Sequence, residues 1–147
     1  MIEVRYPEPR FRIKKEAGKS FIFDPIRKSW LLLTEEEWVR QNFISYLFEG
    51  LHYPVSFIAV EKEILLNELK KRFDILVYNK DFKPWMLVEC KAPSVPLSDE
   101  VLQQVLRYNI TVPVQFIVIT NGPSTIGWER NERGLFEMKD MPEWERS

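Results

Sequence analysis

Apolar positions along this chain follow two periods, and each stretch of one period predicts an element. Residues 11–14 alternate apolar and polar side chains and residues 20–23 are an aromatic and branched run, the two flanking Ala17-Gly18, which predicts a β-hairpin, and residues 29–33 add a short apolar strand. From Thr34 the period becomes helical: Val39, Phe43, Tyr46, Leu47 and Leu51 recur at helical spacing and form one buried stripe. Thr34 and Glu37 have the spacing of a capping box, Leu33 and Trp38 stand at staple positions, and Glu35, Glu36 and Glu37 meet the positive end of the helix dipole. After Pro54, residues 57–66, 72–78 and 85–91 are rich in branched and aromatic residues and predict three strands, the last two joined by the turn-like residues 79–84. Pro93 and Pro96 break the chain, Ser98-Asp99-Glu100 open a second helix to about Asn109, and residues 114–120 form a buried strand stopped by Asn121-Gly122-Pro123. The resulting order is αβββαβ. Both faces of the 75–77 and 87–88 segments are apolar, so an α/β fold is expected, with its sheet sandwiched between the two helices. Residues 125–130 and 134–138 predict one further hairpin, while residues 1–9 are expected to be an extended or loose start, with Pro7 and Pro9 opposing helix, and residues 141–147 a mobile tail, with no role for Trp144.

Three charges conflict with this apolar pattern. Asp74, Glu89 and Lys91 lie in strands whose neighbours demand burial. Strand alternation sends Glu89 and Lys91 to one side and Cys90 to the other, and the hairpin brings Asp74 beside them. Two carboxylates and an ammonium suit a hard divalent cation, magnesium or manganese, which takes one or two carboxylates and leaves its other positions to water and phosphate. A lysine beside such an ion orients water or neutralises charge on phosphate, so the pattern points to metal-assisted phosphodiester hydrolysis. The competing reading is an ion pair that closes the end of a sheet, at the cost of burying three charges.

Asp74 followed by Glu89-Cys90-Lys91 resembles the D…(D/E)xK signature of the PD-(D/E)xK nuclease superfamily, with Phe73 where the motif often has proline. Residues 21–28, 33–41 and 87–93 extend the likeness to the N-terminal nuclease domain of type I restriction enzyme R subunits, in its short free-standing form. The resemblance implies a restriction-endonuclease-like core at residues 34–122 of a single domain, with an N-terminal β extension at 1–33 and a C-terminal hairpin and tail at 123–147. It implies Asp74 and Glu89 as metal ligands, the Cys90 backbone carbonyl as a further one, and Lys91 as the residue acting on water or phosphate. Gln104 and Tyr108 fit the QxxxY that this branch often carries after the ExK strand; their spacing of four shares one helical face and implies a part in positioning substrate. A glutamate on the first core helix often joins the metal site, which makes Glu37, or Glu36, a candidate, although the capping box already accounts for Glu37. Glu63 is a further minor candidate.

Composition narrows the partners. The 147 residues suit one domain, and 45% hydrophobic residues suffice for a core. One cysteine and one histidine leave no zinc finger and no Cys/His catalytic pair, so Cys90 is read as a core residue. No GxxxxGK[ST] stretch occurs, so ATP-driven translocation would fall to a helicase or translocase partner. No leader or span-length apolar run is apparent, and a cytoplasmic protein without membrane partners is expected. A net charge of −1 leaves DNA binding to local basic groups: Arg72 and Arg107 beside the proposed site, or Arg12, Lys14 and Lys19 on the hairpin. Cutting both strands with one site per chain would favour a homodimer. The expected function is a magnesium-dependent DNA endonuclease; the alternative is a nucleic-acid-binding or assembly module that keeps the fold without cutting.

Overall fold

The structure is a computed structural model that describes residues 1–66 and 68–144. Strands β1 (Ile13–Glu16), β2 (Lys19–Asp24) and β3 (Ser29–Leu32) pair antiparallel in a three-stranded sheet. Ala17 (φ 50°) and Gly18 (φ 77°) make the two-residue turn between β1 and β2, whose left-handed backbone matches the twist of the strands it joins. Helix α1 (Glu35–Ser45) follows, capped by Thr34, whose hydroxyl oxygen accepts from the Glu37 N–H at 3.0 Å. The helix widens into a π turn at Tyr46–Gly50, so the predicted stripe stays buried through Leu47 while Leu51 only borders the core.

The main sheet contains β4 (Ile58–Leu66), β5 (Leu69–Tyr78), β6 (Pro84–Cys90), β7 (Phe116–Thr120), β8 (Thr125–Asn131) and β9 (Gly134–Glu137), in that spatial order. Phe57, expected to start the first of these strands, instead ends a short 3-10 turn. Pairing is antiparallel except between β6 and β7, which run parallel because α2 (Asp99–Asn109) carries the chain back across the sheet. The mixed sheet, its αβββαβ order and the flanking helices are those of a restriction-endonuclease-like fold, as expected. One apolar layer joins Val39, Phe43 and Leu47 of α1 to Val60, Ile75, Val77, Met86 and Val88. The other joins Leu76, Leu87 and Ile117 to Leu106 of α2.

Strand alternation breaks where the carboxylates lie. On β5, Ile75 and Val77 belong to the α1 layer and Leu76 to the α2 layer, yet Phe73 also belongs to the α2 layer. On β4 the same switch separates Ile58 and Val60 from Ile64. Both breaks fall between the pairs Val60–Ile75 and Lys62–Phe73, at Glu61 and Asp74. Glu61 has a φ of 50°, rare for a residue with a side chain, so the strand is kinked there.

The N-terminal segment is anchored, not loose, and the expectation of a mobile C-terminal segment requires correction. The Ile2 N–H donates to the Thr125 carbonyl at 2.8 Å, the Tyr6 hydroxyl donates to the Gly122 carbonyl at 2.8 Å, and Ile2 is buried. At the other end the Tyr53 hydroxyl donates to the Pro142 carbonyl at 2.6 Å. The Trp144 indole donates to the Tyr78 carbonyl at 3.0 Å and packs 4.8 Å from the Phe57 ring. Apolar contact and satisfied backbone groups hold both segments, neither of which forms a regular element. Residues 145–147 of the expected tail lie outside the described residues.

Candidate active site

Antiparallel pairing of Ile75 with Val88 sets Asp74 opposite Glu89 one step further along. The kink at Asp74 turns its carboxylate across the end of β6, where Oδ2 accepts the Cys90 N–H at 2.7 Å. Glu89 points to the α2 side of the sheet. Burial raises its pKa first, and the hydrogen bond and charge of Asp74 raise it further; Lys91 opposes them, and the carboxyl is pushed up to about 9. Burial and the neighbouring Asp74 carboxylate thus favour the protonated form of Glu89. Cys90 faces the other way into the α1 layer, only 2% exposed, and burial pushes its thiol up, which makes it a core residue and no nucleophile.

Lys91 leaves the sheet just after β6, its N–H donating to the Thr120 carbonyl at 2.8 Å. Its side chain lines a groove of about 260 Å³ with Glu89, Gln104, Val105 and Tyr108. Gln104 and Tyr108 are exposed on the α2 wall of that groove, one turn apart, while Val105 between them is buried against the sheet. Lys71 covers the Tyr108 ring, its ammonium 4.7 Å from the centroid, and donates to the Thr111 hydroxyl at 3.1 Å. Four of the sequence-predicted residues thus share one groove, and Asp74 adjoins it through Glu89.

Other candidates are placed elsewhere. Glu37 is buried within an ion network: Arg40 donates to its two oxygens at 3.2 and 2.8 Å, Gln41 donates at 3.0 Å, and Arg27 lies 3.5 Å away. Its backbone N–H is capped by Thr34 as expected, but its carboxylate goes to Arg40 and Gln41. Glu36, exposed on the same turn, is the glutamate whose charge meets the site: partial desolvation and then the charge of Asp74 raise its pKa. Glu63 is half-exposed and pairs with Arg72 and Lys70 at 3.8 and 3.9 Å. Arg72 is itself shared between Glu61 and Glu63, and Arg107 is exposed on α2.

Sequence reasoning missed Arg40 and Glu61. Arg40 reaches Glu37, Glu61 and Asp74 together, the last at 3.7 Å. Burial opposes its charge, yet those carboxylates hold its pKa above the ordinary value. Its signal was present in the pattern, since Arg40 sits three, four and seven residues before Phe43, Ile44 and Leu47 and so lies on the buried stripe. A cation there needs buried carboxylates nearby.

Among the described residues no three side chains of His, Cys, Asp and Glu converge as a ready-made metal cage. The oxygen donors of Asp74 and Glu89 form a pair, open towards the groove.

A mixed sheet between two helices, with paired carboxylates and a lysine at the end of its central strands, defines a restriction-endonuclease-like domain. Residues 35–142 match the family of the type I restriction enzyme R protein N terminus, and the chain belongs to that family. Membership gives the domain a restriction-system context. No curated protein matches the chain. None of the described helices is long and apolar enough to cross a membrane.

Proposed function

We propose that the chain is a metal-dependent DNA nuclease domain that hydrolyses phosphodiester bonds in the groove between Glu89 and α2. The observation that carries this reading is the cross-strand approach of Asp74 and Glu89 beside Lys91. Two adjoining acids, with Glu89 held in its protonated form by burial and by Asp74, are a site whose repulsion a cation relieves, and the all-oxygen donor set fits magnesium or manganese. Asp74 and Glu89, with the Cys90 carbonyl, would hold the ion, which when bound lowers the pKa of water and offsets charge on the phosphate. Lys91, beside Glu89 but not a ligand, places its ammonium where it orients the attacking water or balances the charge that grows on the phosphate oxygens. Gln104 and Tyr108 border the path of the strand and position it, with Lys71 close to the Tyr108 ring. Arg107 on α2 adds a phosphate contact on the groove side, whereas Arg72, paired with Glu61 and Glu63 on the other face of the sheet, does not line the groove. A helicase or translocase partner would supply any movement along DNA, and pairing of two chains would serve double-strand cleavage.

The test is cleavage of plasmid, linear, single-stranded and branched DNA with magnesium, manganese or chelator. Metal-dependent cleavage by wild type, abolished in both Asp74→Asn and Glu89→Gln without loss of folding, is the expected result. Cleavage retained in both variants would overturn the metal assignment, and folded wild type that binds DNA without cutting it would favour a non-cleaving binding module.

A further inference from the structure

The N-terminal sheet has two unlike faces. Ile22 and Asp24 on the inner face are fully buried. On the outer face the ladder aligns Arg12, Phe23 and Trp30 in one row and Lys14, Phe21 and Leu32 in the next. None of these six belongs to either apolar layer of the core. Phe23 meets Trp30 edge-on at 5.4 Å, the Arg12 guanidinium lies 4.6 Å from the Phe23 ring and 5.3 Å from that of Trp30, and the Lys14 ammonium lies 4.5 Å from the Trp30 ring. Leu32 is 49% exposed.

Charge is divided unevenly along the chain. Residues 10–33 carry seven cations against two carboxylates, one of which, Asp24, is buried in a pair with Arg27. The rest of the chain carries fourteen cations against twenty carboxylates. A net-acidic protein thus concentrates its positive potential on this sheet, whose outer face carries the half-buried Phe23 and Trp30 rings beneath Arg12 and Lys14. Phosphates seek the first property and unpaired bases the second.

We propose that the outer face of β1, β2 and β3 is a binding platform for single-stranded nucleic acid, distinct from the groove beside Glu89. Arg12 and Lys14 take phosphates, and Trp30 and Phe23 take the faces of bases. Duplex DNA hides those base faces, so the single strand is the favoured occupant. The platform also leads toward the cleavage groove. Phe11 packs edge-on against Trp38 of α1 at 5.3 Å, and Ser94, three residues beyond Lys91, donates to Glu35 on the first turn of α1 at 3.4 Å. These contacts join the edge of the sheet to the start of α1 and α1 to the loop that follows Lys91.

The proposal rests on the nucleic-acid part of the nuclease reading and not on cleavage, so binding is measured in chelator. The probe is a fluorescein-labelled mixed-sequence single strand of roughly 12 nucleotides, with the same sequence as duplex for comparison. Arg12→Ala/Lys14→Ala should weaken binding about tenfold or more and flatten the slope of log K against log salt by about 1.4, the share of two phosphate contacts on a single strand. Trp30→Leu, which keeps an apolar side chain but removes the ring, should weaken single-strand binding by about fivefold or more with the salt slope unchanged. Wild-type affinity and slope in the double variant, confirmed folded by its melting curve, would overturn the platform even if the protein cleaves DNA. Loss of oligonucleotide binding in both variants would uphold it even if wild type proves unable to cleave. Tighter binding of wild type to anionic lipid vesicles than to the oligonucleotide, at equal phosphate concentration, would overturn the assignment to nucleic acid.

Discussion

At Glu89 the site's electrostatics have a thermodynamic signature that needs no substrate. An unfolded chain loses this proton near 4.5, whereas the folded protein without metal keeps it to about 9. Between those values the folded state binds more protons than the unfolded one, so this group's contribution to stability falls as pH rises, by at most about 1.4 kcal/mol per pH unit. Urea unfolding in chelator across that range should show the decline in wild type and a flatter profile in Glu89→Gln; parallel profiles would show that Glu89 does not hold its proton in the folded state. Lys91 makes a different prediction, because it lies beside the donors without being one. Lys91→Ala should lose turnover by at least about a hundredfold while calorimetric titration with manganese stays near wild type. Metal affinity that collapsed together with turnover would contradict that division of roles.

At the scale of elements, the apolar pattern made strands and helices legible, because a strand buried on both faces and a helix with one buried stripe each leave a period that neighbouring residues cannot mask. Asp74, Glu89 and Lys91 were legible for the converse reason, as charges inside such periods. The kink at Glu61 was not, since its positive φ is held by the side chain's pairing with Arg40, a residue on another element. Ile2 and Trp144 escaped notice similarly: each is anchored by one distant carbonyl, and local sequence carries no record of it. Arg40 joins α1 to β4 and β5, so its loss should be felt by the sheet. Arg40→Ala leaves Glu37 with Gln41 and the more distant Arg27 and should destabilise the protein by about 3 kcal/mol, the usual penalty for breaking a buried pair. Adding Glu37→Gln should recover part of that loss in denaturant melts. A single variant as stable as wild type would show that the network contributes nothing to the fold.

Across the whole molecule, charge is divided between an acidic bulk and a basic N-terminal sheet. Glu36, Glu61, Asp74 and Glu89 gather carboxyl groups around the kink, only partly balanced by Arg40. On the proposed reading, a divalent cation at Asp74 and Glu89 would reverse that local field and so tie substrate binding at the groove to metal binding. The most direct measurement is anomalous diffraction from crystals soaked in manganese. The account predicts a single strong peak within coordination distance of the Asp74 and Glu89 carboxylates and the Cys90 carbonyl, absent from Asp74→Asn crystals. A fully occupied peak elsewhere, or none at this site in a protein that cleaves DNA with manganese, would contradict it.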